Sequence, residues 1–149
     1  IRQKPNIKVF HHDEGQDLLA AGDVDIIVEY NGDIAQVMAE DSDLGFVVPR
    51  EGTLINSDCL CIPRGAPRPD NAHAFINFLL DPAVSAGISN TIQYPTPNAA
   101  ALKLMPAAYR ENPAIFPPAA VMARSEYGDF EGIARTRAVD EAVTEILAA

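Results

Sequence analysis

The chain has 149 residues, of which 48% are hydrophobic, and it carries a net charge of −10. That length is enough for one domain with a real core. The negative charge repels phosphates, so a nucleic-acid partner is not expected, and no apolar run is long enough to span a bilayer. An acidic protein attracts cations, which favours a cationic partner.

The first 14 residues give no sign of a functional site. Ile1 is not a start methionine, and we expect a chain that is processed or cut from a longer protein. Residues 6–10 predict a short strand. Residues 11–14, His-His-Asp-Glu, contain four potential metal ligands, but neighbouring side chains on an extended chain point apart and no His or Cys cluster follows. We therefore expect a solvated loop there and no metal site.

A strand followed by a tight turn and a helix is predicted in the first third of the chain. Residues 15–21 predict a short helix, residues 24–29 a strand and residues 34–39 a second helix. Tyr30 and Asp33 lie in the turn, where side chains reach the mouth of an α/β crevice. Asp33 could simply cap the helix while Tyr30 packs locally. That interpretation is compatible with ligand binding, because loops that cap helices also carry binding sites.

The central stretch, residues 54–63, predicts one strand, and residues 44–48 predict the strand before it. Successive side chains of a strand face opposite sides, so Asn56 and Asp58 share one face. A carboxylate in a buried strand is costly unless a cation or a hydrogen bond meets it. Asp58 is therefore expected either to cap a neighbouring loop or pair with an internal arginine, or to anchor a cationic ligand at the edge of a cleft.

The two cysteines share the other face of this predicted strand. Cys59 and Cys61 are two residues apart, and their parallel Cβ vectors are poorly placed for a disulfide with each other. Free cysteines behave as small hydrophobic residues. We therefore expect both thiols to be reduced and buried.

The second half of the chain predicts mainly helices. Asp70 is expected to cap one helix, and Asp81 followed by Pro82 is expected to begin the next. Phe75 and Phe78 are expected to pack in the core, and the second of these helices is expected to turn Val84 and Ile88 inward. Residues 99–104 and 131–147 predict further helices.

Tyr94 lies in a proline-containing segment between the predicted helices. Residues 94–98, Tyr-Pro-Thr-Pro-Asn, predict a rigid extended segment, because a proline disfavours helix in the residue before it. Tyr94 is then held at a fixed place instead of being absorbed into a helix.

Four segments, in chain order, resemble the C-terminal part of periplasmic polyamine-binding proteins, the spermidine and putrescine receptors of ABC transporters. They are residues 19–33, 49–58, 76–82 and 94–98. A fifth segment, residues 110–118 (Arg-Glu-Asn-Pro-Ala-Ile-Phe-Pro-Pro), is most similar to the putrescine receptor. The resemblance spans nearly the whole chain.

The resemblance implies an α/β fold, the two-lobed clamp of the type II periplasmic binding proteins, of which this chain is the C-terminal part spanning both lobes. Residues 1–46 would form the end of lobe 2 and residues 47–110 the second half of lobe 1. Residues 111–149 would return to lobe 2 as helices. Each piece would lack strands that an N-terminal part supplies.

The resemblance also assigns ligand-binding positions one at a time. Tyr30 stands where these receptors typically carry a tryptophan, and it still offers an aromatic face to a cation. Asp33 matches the acidic position of the putrescine type, Asp58 the carboxylate that grips an ammonium group, and Tyr94 an aromatic position lining the cleft. Asn56 departs from the pattern, because the family usually has an aromatic residue there. This departure leaves the identity of the amine open.

A polyamine carries separated charges joined by methylenes, and separated carboxylates with aromatic walls suit it chemically. The resemblance implies a periplasmic receptor, made with a signal peptide, that delivers a small cationic amine to ABC permease subunits without a cofactor. One alternative is a hydrolase that uses Asp33 and Asp58 as acid and base, although the chain has no GxSxG or HExxH motif. Another is a ligand-sensing receptor for a different cationic amine.

Overall fold

The computed structural model describes residues 2–10, 14–128 and 132–148. A short 3-10 helix, Lys4–Asn6, precedes the regular elements. In chain order these are α1 Gly15–Ala20, α2 Asn31–Glu40, β1 Leu54–Ile55, α3 Pro69–Leu79, α4 Pro82–Ile92, α5 Ala99–Leu102, α6 Ala107–Arg110, α7 Ala119–Met122, β2 Glu126–Tyr127 and α8 Ile133–Ala148. No helix in the described ranges has both the length and the apolar character needed to cross a lipid bilayer.

The beginning of α4 is set by local sequence. The side chain of Asp81 accepts hydrogen bonds from the backbone N–H of Ala83 at 2.9 Å and of Val84 at 3.2 Å, and Pro82 follows it directly. The capping role predicted for Asp81 is confirmed. Asp70 is different, because Arg68 occupies the cap position of α3 and Asp70 lies in the first turn of that helix. The prediction that Asp70 is the cap is wrong.

A small core forms where α2, α4 and α5 meet. Its buried members are Ala35, Ala86, Ala101, Met105, Tyr109 and Ile115, with Leu102 and Phe116 packed against them. Three of the six are alanines, so the helix backbones can approach closely, and the larger side chains come from the segment after α5. This packing brings the first turns of α2 next to residues that follow α4, and it positions the candidate site.

Two short strands join distant parts of the chain. β1 and β2 pair in parallel, with Leu54 opposite Glu126 and Ile55 opposite Tyr127. The chain enters this pairing at Gly52, whose φ of 106° favours glycine and whose missing side chain leaves room for the carbonyl oxygen of Arg124.

Most of the predicted strands are wrong. Residues 6–10, 24–29 and 44–48 form no strand, and of residues 54–63 only Leu54–Ile55 do. A strand is stable only where a neighbouring strand completes its hydrogen bonds. Among the described residues, β1 and β2 form the one such pair. The apolar side chains of these segments remain in solvent, with Ile26 88% and Val28 93% exposed.

The burial predicted for several side chains is also wrong. Cys59 and Cys61 are free and exposed, and so is Asp58, because the segment that carries them is not part of a sheet. Phe75 and Phe78 are each 57% exposed, since α3 turns them away from the packed helices. Ile88 is exposed too, and α4 buries Ala86 and Ser89 instead.

Two other predictions fall partly on residues that the structure does not describe. The prediction for residues 11–14 falls mainly on residues 11–13, and that for the last helix begins at residue 131; these positions lie outside the described residues. The last helix is present as α8, and its apolar residues Val139, Val143 and Leu147 are exposed.

Candidate functional site

Tyr94 and Asp33 meet at the N-terminal end of α2. The hydroxyl of Tyr94 donates a hydrogen bond of 2.8 Å to Oδ2 of Asp33, and both side chains are half-buried. Asp33 lies in the first turn of α2, where a carboxylate is favoured by the helix dipole. It makes no cap, because Tyr30 occupies the cap position, so the predicted capping role of Asp33 is wrong. Its carboxylate faces Tyr94 instead.

The approach of Tyr94 to α2 depends on Gly32. A Cβ built on Gly32 would overlap the ring atoms Cγ, Cδ2 and Cε2 of Tyr94. Gly32 is buried and sits one residue before Asp33. The ring therefore lies against bare backbone, and its hydroxyl reaches the adjacent carboxylate.

Tyr30 adds a second aromatic ring to this region. It is 48% exposed, and its backbone N–H donates a 2.9 Å hydrogen bond to Oε1 of Glu29. The negative charges of Asp33 and Glu29 and the phenol of Tyr30 all lie near enough to raise the pKa of Tyr94. The arrangement is a patch of two carboxylates and two phenols at one end of α2.

The pKa of Tyr94 is raised above its ordinary value of 10.0, first because the phenol is removed from water and then because it donates to Asp33. Both effects oppose formation of the phenolate. Tyr94 is therefore a neutral hydrogen-bond donor at physiological pH, and Asp33 supplies the negative charge of the pair.

Two amide side chains of α2, one at its first residue and one in its middle, bond it to neighbouring segments. Nδ2 of Asn31 donates to the carbonyl of Ala114 at 2.9 Å. Nε2 of Gln36 donates to the carbonyl of Ile92 at 3.1 Å, at the end of α4. These bonds tie the helix that carries Asp33 to the segments on both sides of Tyr94.

Tyr109 anchors the segment that carries Tyr94. Its hydroxyl donates to the carbonyl of Tyr94 at 2.6 Å and accepts from the N–H of Thr96 at 3.1 Å. The pKa of Tyr109 is raised, mainly by burial. Residues 94–98 form no helix, as predicted from their prolines, and the chain bends at Pro97.

The structure brings together three of the five predicted site residues, Tyr30, Asp33 and Tyr94. The other two, Asn56 and Asp58, are exposed on the segment after β1. Within the described ranges Asp58 makes no hydrogen bond or ion pair. Its carboxylate is therefore open to a ligand, but it is not joined to the Tyr94–Asp33 pair.

Three residues of this region were not singled out from the sequence. Glu29 could have been found from its position beside Tyr30 at the end of an apolar run. Gly32 had the signal of a small residue in the turn before Asp33. Tyr109 gave no signal, because its contact with residues 94–96 depends on the path of the chain between them.

The patch can bind a cation. A half-buried carboxylate with aromatic neighbours suits an alkylammonium group, which pairs with the charge while its methylenes lie against the rings. Among residues 2–10, 14–128 and 132–148 no group of three His, Cys, Asp or Glu side chains is placed to hold a metal ion.

Comparison with known proteins gives the family. Residues 2–117 match the bacterial extracellular solute-binding protein family. The putrescine-binding periplasmic protein PotF of Escherichia coli is 37% identical over 130 residues, which cover 83% of this chain and 35% of that protein. The spermidine/putrescine-binding periplasmic protein 1 of Haemophilus influenzae is 31% identical over 132 residues, covering 89% of this chain and 37% of that protein. This chain thus spans little more than a third of the length of these relatives.

A solved structure supports the same family. A Listeria monocytogenes protein assigned as a spermidine/putrescine ABC transporter superposes with a TM-score of 0.81 at 29% identity, over 95% of this chain and 44% of that one. The fold class implied by the resemblance, that of the two-lobed periplasmic binding proteins, is therefore confirmed for the part that this chain represents. The chain belongs to the family of bacterial extracellular solute-binding proteins.

Proposed function

We propose that this chain is the C-terminal part of a periplasmic receptor that captures a polyamine and delivers it to an ABC permease. The observation that carries the proposal is the half-buried Asp33 carboxylate, held by Tyr94 and flanked by Tyr30. The relatives described above are named for binding putrescine and spermidine, and that chemistry matches an acidic, aromatic patch. Binding is favoured over hydrolysis because those relatives are named as binding proteins.

The ligand would lie between two anchors. Asp33 would take one ammonium group, and Asp58, exposed and unpaired within the described residues, would take another. Tyr30 and Tyr94 would cover the methylenes between the charges. Asn56, two residues before Asp58, would give the stem a polar neighbour, so an amine with an additional polar group would be tolerated.

The domain division is part of the same proposal. With residues 1–46 and 111–149 in lobe 2 and residues 47–110 in lobe 1, Asp33 and Tyr94 belong to different lobes. Their 2.8 Å hydrogen bond and the shared core of α2, α4 and α5 would then both join the lobes, which is the arrangement of a closed clamp. The exposed apolar residues of segments 24–29 and 44–48 would be covered by strands of an N-terminal part.

Calorimetry of the full-length protein with putrescine and with spermidine tests the proposal. We expect binding of at least one of the two, with the Asp33→Asn variant weaker by about 3–5 kcal/mol if the charge pair is fully closed off from water. An asparagine can still accept the hydrogen bond from Tyr94, so the variant removes charge without removing the contact. Asp58→Asn should also weaken binding, and Tyr30→Ala should weaken it by about 1–2 kcal/mol.

Asp70→Asn is the matched control, because Asp70 is an exposed aspartate in the first turn of α3. It should bind the amine as well as the wild type does. If neither putrescine nor spermidine gave any heat of binding, the proposed function would be refuted. Wild-type affinity in the Asp33→Asn and Asp58→Asn variants would refute the assigned site.

A further inference from the structure

Tyr109 is hydrogen-bonded to the backbone of the segment that carries Tyr94. It belongs to α6, is 3% exposed and packs in the small core. Its ring meets that of Phe116 edge to face, with centroids 5.4 Å apart and planes at 82°. Such a ring has little freedom, so its hydroxyl is a fixed point.

That hydroxyl makes two hydrogen bonds to the site segment, one on each side of Pro95. It donates to the carbonyl of Tyr94 and accepts from the N–H of Thr96. Pro95 has no N–H of its own. Within the described residues, no backbone-to-backbone hydrogen bond involves residues 94–97. The two bonds to Tyr109 are therefore the main restraint on the backbone that carries Tyr94.

The far end of the segment is held separately. Oγ1 of Thr96 lies 3.2 Å from Oγ of Ser85 and accepts from the N–H of Asn98 at 3.1 Å. Asn98 in turn caps α5 and donates to the carbonyl of Leu80 at 2.8 Å. These contacts fix Thr96 and Asn98, but they do not orient the peptide of Tyr94. Of the hydrogen bonds among the described residues, the one from the Tyr109 hydroxyl reaches the carbonyl of Tyr94.

We propose that Tyr109 is a positioning residue for amine binding, which it serves by holding the Tyr94 ring over Gly32 and its hydroxyl on Asp33. This proposal rests on the proposed function. Loss of the Tyr109 hydroxyl leaves the carbonyl of Tyr94 and the buried N–H of Thr96 without their partner. The segment then moves to regain hydrogen bonds, because unpaired buried polar groups are costly. Tyr94 and its contact with Asp33 move with it.

A double-mutant cycle on the full-length protein, read by putrescine calorimetry, tests the proposal. Tyr109→Phe should raise the Kd about tenfold, from the loss of two hydrogen bonds that act on the site. In a Tyr94→Ala background the same substitution should leave the Kd unchanged, because no ring remains to be positioned. An equal loss in both backgrounds, or no loss in either, would overturn the proposal.

Two controls separate positioning from general stability. Asp81→Ala removes the two hydrogen bonds that cap α4 and leaves Tyr109 and its ring contact intact, so it should lower the melting temperature without changing the Kd. Tyr127→Phe removes an exposed hydroxyl of β2 and should change neither. Reversible partial unfolding raises the apparent Kd by the inverse of the folded fraction, so the Kd of each variant is corrected with the folded fraction taken from its own melting curve.

A readout without ligand keeps the proposal separate from the proposed function. If Tyr109→Phe releases Tyr94 from Asp33, Tyr94 should ionise at lower pH in an ultraviolet absorbance titration than it does in the wild type. If the wild-type protein binds neither putrescine nor spermidine, the proposed function fails, and this titration still decides whether Tyr109 positions Tyr94. An unchanged titration would overturn the positioning role.

Discussion

The ring of Tyr94 lies on the backbone of Gly32, in a place that any side chain at position 32 would occupy. This contact puts the Tyr94 hydroxyl within 2.8 Å of Asp33, the next residue along α2. The geometry of the candidate site thus depends on the absence of one methyl group as much as on the charged group itself.

We predict that Gly32→Ala destabilises the protein and weakens amine binding together. The new methyl group overlaps the Tyr94 ring, so either the ring or the first turn of α2 must shift, and overpacking of this kind costs about 1–3 kcal/mol. Urea-induced unfolding and calorimetry measure the two effects.

Gly87→Ala is the matched control for that experiment. Gly87 lies inside α4, and a Cβ added there meets nothing within 4 Å. Because alanine favours helix over glycine, this variant should be more stable by about 0.5–1 kcal/mol, with unchanged binding. A stabilising Gly32→Ala would show that Tyr94 does not lie on α2 in solution.

Stability should fall in alkaline solution because of Tyr94 and Tyr109. Both pKa values are raised in the folded protein above the ordinary 10.0, mainly by burial. The folded state therefore holds these protons more tightly than the unfolded state does, so their stabilisation is complete below pH 10 and is lost as the pH rises through the folded pKa values. Unfolding free energies measured across that range should decline less steeply in a Tyr94→Phe variant. Identical slopes in the two proteins would contradict the burial of this phenol.

The cap of α4 offers a direct test of local structure. Asp81→Ala removes two hydrogen bonds to the first turn, at 2.9 and 3.2 Å, and should cost about 0.5–2 kcal/mol of stability. Asp70→Ala, in the first turn of α3 but without a capping bond, should cost clearly less. If the two variants lost equal unfolding free energy in urea, the negative charge near the helix end would stabilise α4 more than the capping hydrogen bonds do.

The two thiols test how the segment after β1 is covered. Cys59 and Cys61 are exposed in this chain, so both should react quickly with a thiol reagent under native conditions. If an N-terminal part also adds a strand beside residues 54–63, the same thiols should react slowly in the full-length protein until denaturant is added. Fast labelling in both proteins would argue against that covering strand.

Sequence predicted best what depends on neighbours in the chain. The Asp81-Pro82 start of α4 and the non-helical segment of Tyr94 follow from residues within a few positions of each other. The strand over residues 54–63 could not be settled in this way, because a strand requires a partner and its β-prone residues only make it suitable for one. The expectation that Cys59 and Cys61 are buried failed for the same reason.

The candidate site was predicted only in part. Tyr30, Asp33 and Tyr94 were identified through their resemblance to a family, but the bond between Asp33 and Tyr94 joins residues 61 positions apart. The contact of Tyr109 with Tyr94 depends on how the chain turns through α5 and α6. Such contacts are determined by the packing of alanine-rich helices, and no local pattern encodes them.

The pairing of β1 with β2 has a consequence for the order of folding. Thr53 and Ser125, which are hydrogen-bonded beside this pairing, are 72 residues apart, so closing it restricts nearly half of the chain at once. Closing so long a loop carries a larger entropy cost than forming the helices does, and contacts of such wide separation slow folding. The amides of Glu126 and Gly128, which donate across the pair, should therefore gain protection from hydrogen exchange only after those of α4. The small parallel sheet would be the last part of the molecule to form and the first to open.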